Sequence, residues 1–208
     1  MDMLHLTVVV MFMVSAVSLS ISRRFSDEMF QWFSIAFLLF GLSRLMHIHF
    51  TWSPTEAFDV RLFSVLMLYG AGSTSLATGA INGRRVYKET PLVMLLAIVV
   101  SSFVASADKG ASSYPLAFAL FVGGFTAAWF LLRRGEGRCS YLYSLIGVGI
   151  FGRGIAAIVS STMTRYDISF IRGYVVFADL LLLLFVLASM VMLAKQRITD
   201  ATCEEEGE

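Results

Sequence analysis

The stretch YVVFADLLLLLFVLASMVMLA, residues 174–194, is apolar along almost its whole length and carries one charged residue, Asp179. About 20 residues at ~1.5 Å each are enough for a helix to cross a hydrocarbon core of about 30 Å. Six similar segments precede it, at residues 4–21, 29–50, 62–81, 92–107, 115–132 and 141–160. Segments of this length and uniformity are typical of helices rather than barrel strands. The sequence therefore predicts an all-α bundle of seven transmembrane helices.

Basic residues between the predicted spans are concentrated on alternate connections. Arg and Lys are enriched on the cytoplasmic side of membrane proteins, so this asymmetry predicts an outside amino terminus and a cytoplasmic carboxyl terminus. The cytoplasmic set is Arg23, Arg24, Arg84, Arg85, Lys88, Arg133, Arg134, Arg138, Lys195 and Arg197, and the outer set is Arg61, Lys109, Arg165 and Arg172.

The spans leave short connections, so the predicted organisation is a transmembrane domain at residues 1–194 and a cytoplasmic helical extension with an acidic tail at 195–208. The formal net charge of +1 gives no reason to expect nucleic-acid binding, and 57% hydrophobic residues would be unusual for a soluble domain. Cys139 and Cys203 both fall on the predicted cytoplasmic side, where thiols stay reduced, so no disulfide is expected.

Three charged residues lie within predicted spans, where they usually face the bundle interior and mark a functional site. Arg44, Arg153 and Asp179 share a level roughly 9 to 12 Å below the outer surface at ~1.5 Å per residue. We expect Arg153 to pair with Asp179, because their helices are neighbours along the chain. The pair is either functional or a structural lock between two helices.

The pairing of Arg153 leaves Arg44 without an opposite charge. Tyr69 and Ser73 of the third span are polar residues that can line the same region. These residues predict an outward-facing pocket for a small carboxylate or other anion. The alternative is that Arg44 extends to the outer lipid headgroups.

The three histidines, His5, His47 and His49, are all predicted at the outer membrane edge, close to Met46 and Asp2. Imidazole and thioether ligands suit copper, and imidazole with carboxylate suits zinc, so a metal site is one interpretation. The other is an interfacial belt of polar and aromatic side chains. No other cofactor is expected.

Enzyme classes with recognisable intramembrane residues are not favoured. A retinal protein needs a lysine within its last helix, and Lys195 lies at the predicted cytoplasmic edge. No histidine occurs after His49, and no nucleophile has a base nearby in the sequence. The sequence therefore predicts a protein that is not an enzyme.

Over nearly its whole length the chain resembles the seven-helix sensory modules that precede diguanylate cyclase and histidine kinase output domains in bacteria. The resemblance is carried by four motifs. They are Gly41-Leu42-Ser43-Arg44, Gly83-Arg84-Arg85, Arg153, and a last helix that continues into Lys195-Gln196-Arg197. Met46-His47-Ile48-His49 is also similar to the tetrapeptide of the MHYT sensors at its first two positions.

The resemblance implies a multi-pass protein of the bacterial inner (cytoplasmic) membrane that senses a ligand outside and changes its last helix inside. No cyclase or kinase sequence follows Arg197, so the output is either a domain of a longer chain or a separate protein. The expected partners are the lipid bilayer, a small anionic ligand and this cytoplasmic output, with a homodimer as an option. A small-molecule transporter and a ligand-free scaffold are the rival classes.

Overall fold

The computed structural model describes residues 3–49, 60–81, 114–133, 140–165 and 169–205. Within these ranges the chain is helical except at the turn of residues 26–27, and it contains no β-strand, which confirms the all-α class for the described part. The six helices are α1 (Met3–Phe25), α2 (Glu28–His49), α3 (Val60–Ile81), α4 (Tyr114–Arg133), α5 (Ser140–Arg165) and α6 (Ser169–Glu205).

Four of the described helices contain a stretch long and apolar enough to cross a membrane. These stretches are Met3–Phe25, Glu28–Met46, Ser140–Val159 and Gly173–Asp200, and α4 contains a shorter apolar stretch, Leu120–Leu132. The predicted span at 92–107 lies outside the described residues. The length and composition of the four helices indicate a membrane protein.

The described helices form a closed ring. Each helix contacts the next one along the chain, and α6 contacts α1. The interior is occupied largely by fully buried phenylalanines of α2, and α2 meets α5 across it through side chains such as Phe30 and Tyr143, whose ring centroids are 6.5 Å apart. Side chains that point inward from α2 or α5 therefore meet residues from the opposite side of the ring.

The outer surface of the ring is apolar, unlike that of a soluble protein, and some hydroxyl groups are buried inside. Ser15 and Ser34 are buried and lie in hydrogen-bond contact, with their Oγ atoms 3.1 Å apart. Val148, Leu181 and Met192 are exposed. Apolar side chains on the outer surface and hydrogen-bonded hydroxyls inside are expected when the surrounding solvent is lipid.

Close helix approach depends on glycine at two of the helix contacts. A Cβ added to Gly79 of α3 would lie 2.7 Å from the Cβ of Trp32 in α2, and one added to Gly123 of α4 would lie 2.9 Å from the Ser73 carbonyl oxygen in α3. Both distances are shorter than real Cβ contacts, so these two positions need glycine. Gly79 and Gly123 therefore lie where neighbouring helices pack closely.

The helix directions follow from contacts at successive levels. Ser18 of α1 contacts Met190 of α6, and Asp27, just after α1, contacts Arg197, so α1 and α6 run parallel. The consecutive pairs α1–α2, α2–α3, α4–α5 and α5–α6 are antiparallel. It follows that α3 and α4 point in the same direction.

Candidate functional site: a polar centre inside the helix ring

The predicted pair between α5 and α6 is present. The Arg153 Nε donates a hydrogen bond to the Asp179 Oδ1 at 2.8 Å. Only 3% of the Arg153 side chain is exposed, against 16% for Asp179. Among the described residues, this is the one hydrogen bond that either side chain makes. The pair is thus a buried, single-point ionic contact.

Arg153 also reaches across the ring to α2. Its Cζ lies 5.8 Å from the centroid of the Phe37 ring and 5.8 Å from that of Phe40. A guanidinium at this distance from an aromatic face is stabilised electrostatically, more so where water is excluded. Arg153 therefore has two kinds of support, one from a carboxylate and one from aromatic rings.

The aromatic support belongs to a stripe along α2. Phe30, Phe33, Phe37 and Phe40 recur at intervals of three and four residues, which places them on one helix face, and all four are fully buried. Arg44 is the next member of this series, one turn beyond Phe40. We call these five residues the α2 stripe. The spacing directs Arg44 toward the same interior as Arg153.

Arg44 and Ser73 supply the two buried side-chain polar atoms for which the described residues offer no hydrogen-bond partner. These atoms are the Arg44 Nε and the Ser73 Oγ. Ser73 is fully buried, and unlike Thr74 and Ser75 it makes no hydrogen bond to the carbonyl four residues earlier. Burying an N–H donor of a charged group without a hydrogen-bond partner lowers the free energy of unfolding, because the interior has a low dielectric constant.

Tyr69 lies beside the same centre. Its ring centroid is 5.4 Å from that of Phe40, and its side chain is buried. The structure thus brings Tyr69, Arg153 and Phe40 together, with Arg44 one turn farther along α2. Ser73, one turn from Tyr69 on α3, lies at the contact with Gly123 of α4.

A second ionic centre lies near the other end of the ring and was not expected from the sequence. The Arg197 Nη2 donates hydrogen bonds to the Asp27 Oδ2, at 3.0 Å, and to the Tyr143 hydroxyl. The Arg197 Cζ lies 5.3 Å from the centroid of Phe25 and 5.7 Å from the centroids of Phe30 and Tyr143. We call this group the Arg197 anchor, because it holds α6 to α5 and to the turn between α1 and α2.

The turn itself prepares Asp27 for this contact. Ser26 has a positive φ of 51°, which reverses the chain between α1 and α2. The Asp27 Oδ1 accepts the Met29 backbone N–H at 3.1 Å and so caps α2, while Oδ2 accepts from Arg197. One carboxylate therefore serves both the helix start and the interhelical contact.

The histidines are only partly within the described residues. His5 is in the first turn of α1, whereas the side chains of His47 and His49, at the end of α2, lie outside the described residues. The part of the chain that the structure describes holds no group of three metal-ligating side chains. The copper or zinc site stays a prediction.

The spacing of residues along α2 indicates which of its side chains face the interior of the ring, and the positions of the charged residues alone do not. The residues of the α2 stripe are spaced as in a heptad pattern, and Arg44 is the last of them. The position of Arg44 on the inward face of α2 is therefore predictable from the sequence. The Arg197 anchor had no comparable signal, because its members are far apart in the sequence. No known protein family, curated protein or solved structure matches the chain.

Proposed function

We propose that this chain is a membrane-embedded sensory module that binds a small anion from outside and transmits the event through α6 to a cytoplasmic output domain or partner. The observation that carries the proposal is the buried Arg44 Nε, which has no hydrogen-bond partner among the described residues, on the helix face that also supports Arg153. Among the described residues, the partly buried Arg44 and the buried Arg153 are balanced by one carboxylate, Asp179, which leaves an excess positive charge at this end of the ring. A small anion would neutralise it.

The output side of the proposal is supported by the length of α6. This helix runs without a break from Ser169 to Glu205 and so continues beyond Asp200, where its apolar stretch ends. A helix without interruption couples its two ends mechanically. A transporter of the broken-helix type would instead interrupt a helix beside the polar centre, whereas α5 and α6 are continuous at Arg153 and Asp179.

The proposal includes seven spans and an outside amino terminus. Because α3 and α4 point in the same direction, α3 ends and α4 begins at opposite ends of the ring, which supports a further span at 92–107. The contact between Asp27 and Arg197 also places the end of α1 and the basic part of α6 on one side, as the charge asymmetry requires.

The test is thermal stability of the purified protein with acetate, formate, chloride, methylammonium, zinc or copper at matched ionic strength. A ligand that binds only the folded state stabilises it by about 2.7 kcal/mol at a concentration of 100 Kd. We expect the three anions to raise the Tm, and Arg44→Ala to remove most of that rise. Arg24→Ala is the matched control, since Arg24 is exposed at the end of α1.

Two outcomes would overturn the anion proposal. One is the absence of any anion-dependent rise in Tm. The other is stabilisation by copper or zinc alone that is lost in His47→Ala, which would assign a metal sensor instead.

A further inference from the structure

Arg153 has hydrogen-bonding capacity that its partner does not use. A guanidinium carries five N–H donors, and among the described residues only the Nε of Arg153 donates, to a single oxygen of Asp179. A free carboxylate can accept two parallel hydrogen bonds from one edge of the guanidinium, formed by the Nε and the adjacent NH2 group, and it would then compete with Asp179 for the Nε. An external carboxylate with access to this edge would make a better contact than Asp179 does.

The position of Arg153 does not depend on Asp179 alone. The rings of Phe37 and Phe40 belong to α2, which lies across the ring from α5, whereas Asp179 belongs to α6. Both rings lie 5.8 Å from the Arg153 Cζ. If Asp179 moves away, these rings still hold the guanidinium in the interior. The Arg153 guanidinium therefore stays available to bind an anion after Asp179 has moved away.

The packing of the interior limits the size of the ligand. Phe37 and Phe40 are fully buried, and Tyr69 is almost fully buried beside them. A ligand with a large body would have to displace these rings, whereas one the size of the Asp179 carboxylate need only replace that group. The chemistry and the space both favour a short-chain carboxylate such as formate or acetate.

We infer that Asp179 is a tethered carboxylate that competes with a short-chain carboxylate for Arg153, so that ligand binding detaches the outer part of α6. This inference rests on the proposed function, whose ligand class and mode of regulation it specifies. Arg44, whose Nε has no partner among the described residues, favours the exchange because it adds a second positive charge that attracts the incoming anion.

The inner part of α6 stays in place during this exchange. Asp179 and Arg197 lie about five helical turns apart, which is roughly 27 Å along α6 and puts both on the same face. Arg197 is held by two hydrogen bonds and three aromatic rings, against one hydrogen bond for Asp179. Release at Asp179 therefore moves the outer half of α6 about a fixed inner contact.

The first test is acetate affinity, measured by calorimetry on the full chain in lipid nanodiscs. Asp179→Asn keeps the side-chain shape and removes the competing charge, so we expect acetate to bind about tenfold more tightly. Asp200→Asn is the matched control. It makes the same change on the same helix, away from Arg153, and should leave the acetate affinity as it is in the unsubstituted protein.

The second test measures helix positions in protein that retains Asp179. Spin-label pairs are introduced by Ile155→Cys with Phe177→Cys at the level of Arg153, and by Val148→Cys with Val191→Cys nearer the Arg197 anchor. All four side chains are exposed on α5 or α6. The background carries Cys139→Ser and Cys203→Ser.

Saturating acetate should shift the distance of the outer pair by about 2 Å or more, while the distance of the inner pair stays constant. Acetate binding that leaves the outer pair unmoved, or binding that Asp179→Asn does not tighten, would overturn the competition and leave the anion site standing. An absence of acetate binding to either protein would overturn both the competition and the proposed function.

Discussion

At the scale of single residues, the balance of buried charge decides the behaviour of the polar centre. Moving an ion out of water costs several kcal/mol even after relaxation, and a partner at hydrogen-bond distance offsets much of that cost. Arg153 has such a partner in Asp179, whereas the buried Arg44 Nε has none among the described residues. Arg153 therefore contributes to the stability of the ring, while Arg44 is the residue whose environment a ligand would improve.

A double-mutant cycle tests the contact between Arg153 and Asp179. Arg153→Leu and Asp179→Leu should each lower the free energy of unfolding by about 3 kcal/mol, because each strands a charge in the interior. The double substitution should recover part of that loss. Unfolding by denaturant in mixed micelles provides the measurement, and strictly additive losses would contradict a direct interaction.

At the scale of elements, α2 connects the two ionic centres. Phe30 lies against Arg197 at one end of the α2 stripe, and Phe37 and Phe40 lie against Arg153 toward the other. The stripe is held in register by neighbours that carry glycine, as at Gly79 against Trp32. If the helices move apart at one of the two ionic centres, the closely packed phenylalanine rings along the rest of α2 oppose the movement.

The requirement for close spacing is testable at the contact between α3 and α4. Gly123→Ala places a methyl group 2.9 Å from the Ser73 carbonyl oxygen, so we expect a loss of about 1–3 kcal/mol in the free energy of unfolding. Gly173→Ala is the control, because an added Cβ there has no neighbour within 4 Å and alanine favours helix by about 1 kcal/mol. Equal effects on the midpoint of unfolding would refute the packing argument.

At the scale of the whole molecule, the ring brings two of the basic segments to the same end, as the proposed orientation requires. The Arg197 anchor joins the end of α1 to the basic part of α6, and both carry residues that the charge rule assigns to the cytoplasm. In the proposed orientation the polar centre lies toward the outer face. The proposed input and output would then lie at opposite ends of α6.

Cysteine labelling in intact cells tests this orientation. Native Cys139 and Cys203 should resist an impermeant thiol reagent, while a cysteine introduced by Ser112→Cys should react. Permeabilised cells serve as the control, in which all three cysteines should become accessible. Labelling of Cys139 before permeabilisation would invert the orientation.

Several features were predictable because they depend on local composition. Helices in lipid must satisfy their own backbone hydrogen bonds, so length and apolarity were enough to place α1, α2, α5 and α6. The contact between Arg153 and Asp179 was predictable too, since two opposite charges at one depth on consecutive spans have few other ways to lower their burial cost. The ligand class, by contrast, stays a proposal.

By itself, the sequence determined the helical class and membrane character of the described chain and the pairing of its buried acid with Arg153. Only the tertiary structure decided that Arg153 would reach Phe37 and Phe40 across the ring, and that Arg197 would meet Asp27 and Tyr143. The physical reason is the distance along the chain over which each effect acts. Backbone satisfaction and burial cost act on each segment alone, whereas these contacts depend on which helices become neighbours once the ring closes.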